Sequence, residues 1–304
     1  MNHEKLTGLV AATHTPFHAD GSLNLDAVEK QAGHLSKNGV GTVFVGGSTG
    51  ESSSLSLDER MALSTRWSEV VLGTSMRLVV HVGANCLGDA RGLAAQAEKL
   101  GASAISALCP SYFKPRSVAM LVECCEEVVR DAREIPFYFY DIPALTGVSL
   151  SMPDFLAAAK DRLPTLAGLK FTNPDMMAYQ LCLRADGGRW DVPWGIDEHM
   201  LGALALGAKG AVGSGFNFAA PTYNRLIAAF ERGDLDAARE EQFRGVRLIQ
   251  LFVSYGYMGA AKAAMKMLGV DVGPARLPNN SLTPEQTAKL RGDLDAMGFF
   301  DWVK

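Results

Sequence analysis

Short apolar segments and helical patterns take turns along this chain, eight times in succession. The segments at residues 8–12, 41–45, 77–82, 102–108, 136–140, 166–171, 192–195 and 210–212 are apolar, β-branched or small, and too short to be helices with a core face of their own. Between them, apolar residues recur at helical spacing at 25–37, from 57 onward, and at 89–99, 118–130, 152–159, 174–183, 198–206 and 221–230. A strand that reaches the next strand through a helix must run parallel to it. Eight such units predict a closed (β/α)8 TIM barrel over residues 1–232. The alternative is an open doubly wound sheet, but no Gly-x-Gly-x-x-Gly follows the first strand. Residues 233–304 read as about three further helices interrupted at 273–280, a C-terminal helical extension within one domain.

Composition narrows the function. A chain of 304 residues with 48% hydrophobic content can fill one large core. Its net charge is -4, so no basic excess is available to neutralise a phosphate backbone, and nucleic acid is not expected as a partner. No apolar run approaches the roughly 18 residues of a membrane span, and Met1 to Lys5 lacks the apolar core of a signal peptide. The cysteines, Cys86, Cys109, Cys124, Cys125 and Cys182, are odd in number and show no Cys-x-x-Cys spacing. Buried free thiols in a reducing cytoplasm are expected, with neither disulfides nor a zinc site.

The sixth segment, Leu166-Ala167-Gly168-Leu169-Lys170-Phe171, carries a lysine where a strand covered on both faces should be apolar. Alternation puts Leu169 and Phe171 on the helix side, so Lys170 and Thr172 point into the barrel. A buried lysine loses its proton easily and then attacks carbonyl carbon, giving a Schiff base. In Phe137-Tyr138-Phe139-Tyr140 the same alternation turns both tyrosines inward if the phenylalanines pack on the helices, and Tyr140 is then either a proton relay or a core tyrosine with a satisfied hydroxyl. Chemistry in a barrel gathers at the C-terminal ends of the strands. The second strand ends in Gly46-Gly47-Ser48-Thr49-Gly50-Glu51, whose N–H groups and hydroxyls suit a carboxylate or phosphate. The seventh ends in Gly195-Ile196-Asp197-Glu198, either acids at a helix start or acceptors for substrate hydroxyls. The eighth ends in Gly213-Ser214-Gly215, small enough to leave room for a ligand.

Gly47-Ser48-Thr49-Gly50-Glu51, Tyr140-Asp141-Ile142-Pro143 and Gly168-Leu169-Lys170 occur in the order and spacing of the class I pyruvate-dependent lyases and synthases, and the chain resembles that family over nearly its whole length. The family includes N-acetylneuraminate lyase and dihydrodipicolinate synthase. The resemblance implies a tetrameric barrel with no metal or organic cofactor. It implies Lys170 as the Schiff-base lysine for pyruvate or another 2-oxo acid and Tyr140 as the proton shuttle. Ser48 and Thr49 would hold the carboxylate, and Tyr112 would reach toward a neighbouring subunit's site. The synthases carry an arginine where Leu145 stands, and leucine cannot hold a second carboxylate. The Ile-Pro-Ala-Leu run is instead similar to the sialic acid lyases. In those, the positions of Thr172, Gly195, Asp197, Glu198 and Ser214 contact the polyhydroxy tail of the sugar acid. Asp141 replaces the usual asparagine, and Gly215-Phe216 stands where threonine–tyrosine is common. The expected activity is cleavage or formation of a 2-keto-3-deoxy sugar acid. The alternatives are dihydrodipicolinate synthesis, a related aldolase or dehydratase, and a catalytically silent 2-oxo-acid-binding barrel.

Overall fold

The structure, a computed structural model, describes residues 4–304. Seven parallel strands form one sheet in the order β6-β5-β4-β3-β2-β1-β7. They are β1 (Gly8–Ala12), β2 (Thr42–Val45), β3 (Arg77–His81), β4 (Ala104–Ala107), β5 (Phe137–Asp141), β6 (Leu166–Phe171) and β7 (Gly210–Gly213). The gap between β6 and β7 is filled by residues 191–195. The Leu169 and Phe171 N–H groups donate to the Asp191 and Pro193 carbonyls, both at 3.0 Å. On the other side Trp194 N–H donates to Gly210 O at 3.0 Å, and Val212 N–H to Trp194 O at 2.7 Å. The ladder therefore closes into a (β/α)8 TIM barrel.

The segment expected as the seventh strand makes only isolated bridges. Pro193 has no N–H to give the ladder, which prevents a continuous strand there. Close approach is built in at Gly168, where a Cβ would lie 1.7 Å from Asp191 O. Tyr138 OH donates to Asp191 Oδ2 at 2.7 Å, and Leu6 N–H donates to the same oxygen at 2.7 Å.

Side-chain alternation sorts the core into two layers. Leu9, Ala11, Val43, Val45, Phe137, Phe139, Leu169 and Phe171 pack outward with the helices. Val10, Ala12, Phe44, Val79, Ala104, Tyr138 and Tyr140 form the inner layer. The helices start where side chains supply a cap. Ser56 and Glu59 form a capping box at helix Leu57–Val71. Asp175 accepts from Ala178 N–H, so the helix expected from 174 begins at Met176. After the last barrel helix, Ala220–Glu231, come helices Leu235–Ser254, Met258–Met267 and Pro284–Met297 and a single turn, Phe299–Trp302. Among the described residues no helix is long and apolar enough to cross a membrane.

Candidate active site

Lys170 pairs with Tyr140 in the β5–β6 register. Its Nζ lies 4.0 Å from the centroid of the Phe44 ring and 3.9 Å from that of Tyr140. The residue is only 4% exposed. Burial depresses its pKa below the usual lysine range, while the Tyr140 contact and hydrogen bond and the Asp197 charge pull the other way. Ring faces favour a cation and burial disfavours it, and here burial prevails. The result is an amine more readily neutral than a surface lysine, as a nucleophile requires. Tyr140 also packs edge-on against Phe44 and His81, and its hydroxyl lies 3.4 Å from Ser48 Oγ. Ser48 and Thr49 are half-buried on the loop after β2.

That loop is held from two directions that sequence reasoning did not find. From inside the barrel, His81 Nδ1 lies 2.9 Å from Gly46 O, and Leu108 N–H donates to His81 Nε2 at 3.4 Å. With Nε2 accepting, Nδ1 carries the proton and the ring is neutral. Burial lowers the His81 pKa well below the usual histidine range, and the charges of Arg60 and Lys170 add to the effect. From the C-terminal extension, Lys262 Nζ pairs with Glu51 Oε1 at 2.7 Å, both side chains being buried. Lys262 also donates to Thr15 O at 3.0 Å and Pro274 O at 2.8 Å. Glu51 Oε2 accepts from Arg276 N–H at 2.8 Å and from Asn279 Nδ2 at 3.3 Å. The signal for Lys262 was available: a lone lysine within Ala260-Ala261-Lys262-Ala263-Ala264 is as anomalous as the one in β6.

The adjoining side of the barrel mouth is polar. Asp197 is buried and its Oδ2 accepts from Gly215 N–H at 2.6 Å. It stands at the first position of a short helix, Asp197–His199, and its carboxyl also accepts from its own N–H. Burial pushes its pKa up to about 7; the Gly215 N–H opposes this, and the Glu198 charge adds to it. A Cβ at Gly213 would lie 1.9 Å from Asp197 Oδ1, so only glycine leaves room for the carboxyl. Glu198 is half-buried beside it. Ser214 Oγ lies 2.5 Å from Tyr257 OH, a further residue contributed by the extension. Thr172 Oγ1 is buried with no hydrogen-bond partner among the described residues, close against Gly195.

Two residues lie apart. Tyr112 is 79% exposed on the loop after β4, its ring edge-on to Phe113. Asp141 ends β5, and its Oδ2 accepts from Asn173 Nδ2 at 3.0 Å, tying the ends of β5 and β6 together. Burial raises the Asp141 pKa to about 6 against the pull of that amide. Among the described residues no three His, Cys, Asp or Glu side chains gather as a metal site.

Residues 5–297 match the model of the dihydrodipicolinate synthetase family. The chain belongs to that family. Within it, the chain is 39% identical to N-acetylneuraminate lyase A of Xenopus laevis over 282 residues, covering 90% of this chain and 91% of the relative. It is 36% identical to the N-acetylneuraminate lyase of Rattus norvegicus over 303 residues, covering 98% and 95%. Among solved structures, Proteus mirabilis N-acetylneuraminate lyase superposes with a TM-score of 0.94 at 41% identity, covering 97% of this chain and all of that one. The structure of a family member described as DHDPS from Cyanidioschyzon merolae with lysine bound is more distant, with a TM-score of 0.88 at 27% identity.

Proposed function

We propose that this chain is a pyruvate-dependent aldolase that cleaves a polyhydroxylated 2-keto-3-deoxy acid of the N-acetylneuraminate type. The observation that carries the reading is Lys170, a buried amine between the Phe44 and Tyr140 rings. The likeness to N-acetylneuraminate lyases over 90% or more of the chain supports the same assignment.

In this reading the carboxylate of the substrate lies on Ser48 and Thr49, and the Lys170 amine attacks the adjacent keto carbon. The carbinolamine loses water to give a protonated imine on Lys170. The hydroxyl on C4 gives up its proton, the C3–C4 bond breaks, and the released aldehyde leaves its bonding pair in the imine as an enamine. Protonation of C3 and hydrolysis return pyruvate and free Lys170. Tyr140 touches both Lys170 and Ser48 and carries protons in imine formation and in cleavage. Asp197, Glu198, Thr172, Ser214 and the Gly195 backbone receive the hydroxylated tail. Leu145, 64% exposed, supplies no charge for a second carboxylate, which disfavours the synthase reaction.

The test is pyruvate release from N-acetylneuraminate, 2-keto-3-deoxygluconate and 2-keto-3-deoxyarabonate, beside synthesis from pyruvate and aspartate semialdehyde. Pyruvate with borohydride should add a permanent mass at Lys170, and Lys170→Ala should abolish trapping and turnover. Trapping at another lysine, or a synthase rate far above every sugar acid, defeats the proposal.

The exposed Tyr112–Phe113 pair at the barrel mouth supports assembly into a homotetramer with Tyr112 at a subunit contact. Light scattering of the parent and of Tyr112→Ala checks this, and a monomeric parent would rule it out. All five cysteines are free, which supports a reducing cytoplasmic location. Cell fractionation that finds the protein outside the cytoplasm would refute it.

A further inference from the structure

Tyr257 lies outside the barrel, at the break between helices Leu235–Ser254 and Met258–Met267. Its backbone is at φ 40°, ψ -68°, a region that a side-chain-bearing residue adopts only when its surroundings enforce it. The surroundings do so. Its N–H donates to Phe252 O at 2.7 Å, its carbonyl accepts from Ala261 N–H at 2.8 Å, and its ring packs edge-on to Phe252. The outcome of this unusual backbone is that the phenol reaches Ser214 Oγ at 2.5 Å, at the mouth of the barrel beside Asp197.

The hydrogen count gives the contact a direction. Two hydroxyls bring two protons, and a single hydrogen bond between them uses one. Whichever group donates, the other proton is left for a third partner. The phenol is the more acidic hydroxyl and the better donor, so Tyr257 donates to Ser214, and the Ser214 proton is the one left to face a ligand. Held this way, the free donor is pre-oriented, so a ligand hydroxyl meets it without first ordering a serine rotor.

We propose that Tyr257 is a specificity-determining positioning residue: through Ser214 it selects substrates whose tail carries a hydroxyl remote from the keto group. The inference rests on the aldolase reading above and deepens it. A tail without such a hydroxyl leaves the pair's free donor unsatisfied and gains nothing from Tyr257.

The experiment compares the parent, Tyr257→Phe, Ser214→Ala and the double variant on N-acetylneuraminate and on 4-hydroxy-2-oxopentanoate, which has no remote hydroxyls. Borohydride trapping of pyruvate at Lys170 is measured on each. Phenylalanine keeps the ring and the backbone and deletes only the hydroxyl. Tyr257→Phe should lower kcat/KM on the sugar acid by about three- to tenfold, the size of one hydrogen bond, mainly through KM. The short acid and the trapping yield should change less than about twofold, within the spread of a surface substitution. The double variant should lose little more than Ser214→Ala, because the two hydroxyls act together. Equal losses on both substrates, or reduced trapping, would make Tyr257 a packing residue and overturn the inference alone. A parent that traps pyruvate yet turns over no sugar acid would overturn the aldolase reading and this inference with it.

Discussion

The two sides of the barrel mouth are built on different principles. The Lys170 side stands on regular strands: Phe44, His81, Tyr140 and Lys170 come from β2, β3, β5 and β6, and their placement follows from alternation and register. It is aromatic and closed, and its environment works to strip charge from Lys170 and His81. The adjoining side stands on interrupted structure. Asp197 and Glu198 follow the Pro193 break, Ser214 follows β7 and Tyr257 sits between two helices of the extension. It is rich in hydroxyls and carboxyls. In the aldolase reading, imine formation falls to the half built on regular backbone and recognition of the tail to the half built on irregular backbone.

The sharpest way to break this comparison is Tyr140→Phe. If the strand-built half performs the chemistry, turnover should fall by about 10²–10⁴-fold, the loss expected for a positioned proton relay, with the fold intact by circular dichroism. A rate within a few-fold of the parent would reduce Tyr140 to a core residue.

On the other half, Glu198→Gln should weaken kcat/KM for the sugar acid by about 1–3 kcal/mol, the range for hydrogen bonds to a charged group. Pyruvate trapping at Lys170 should be untouched. An unchanged kcat/KM would return Glu198 to the role of an acid at a helix start.

Asp197 gives a smaller effect that is read in stability. Its folded pKa, raised to about 7, lies above the unfolded value near 3.9. The neutral carboxyl thus contributes stability below about pH 4, and that contribution is lost as pH rises to 7. Asp197→Asn carries no such loss. The variant's stability relative to the parent should climb between pH 4 and 7, by at least about 1 kcal/mol, and level off above. A difference that stays flat across urea titrations at pH 4, 6 and 8 would show that the burial of Asp197 is relieved in solution.

What could be read from the sequence follows the same division. Period-two alternation forces a choice of face, so the inward aim of Lys170 and Tyr140 followed from Leu169, Phe171, Phe137 and Phe139 alone. The motif around Ser48 and Thr49 was visible as small and hydroxyl-bearing residues. Contacts between distant parts of the chain were not. Glu51 stands in the Gly47–Glu51 motif with no partner visible nearby in sequence, because Lys262 comes more than 200 residues later. Tyr257 was missed because its position depends on a backbone conformation for which a tyrosine gives no sign. At 192–195 the apolar character that marks a strand outweighs the single sign of irregularity, Pro193.

The Glu51–Lys262 pair also has a consequence for the order in which the protein is made. The loop after β2 leaves the ribosome early, and its buried carboxylate has no counter-ion until the extension has been synthesised and docked. An unpaired buried carboxylate costs about 3–5 kcal/mol, comparable with the net stability of many whole domains. A nascent chain that already displays Lys170 is therefore expected to lack a settled loop after β2, and pyruvate capture at Lys170 should be absent during synthesis. Chains arrested on the ribosome before and after residue 262 emerges should differ in pyruvate trapping, with capture confined to the longer ones. Early capture would show that the loop closes without its late partner.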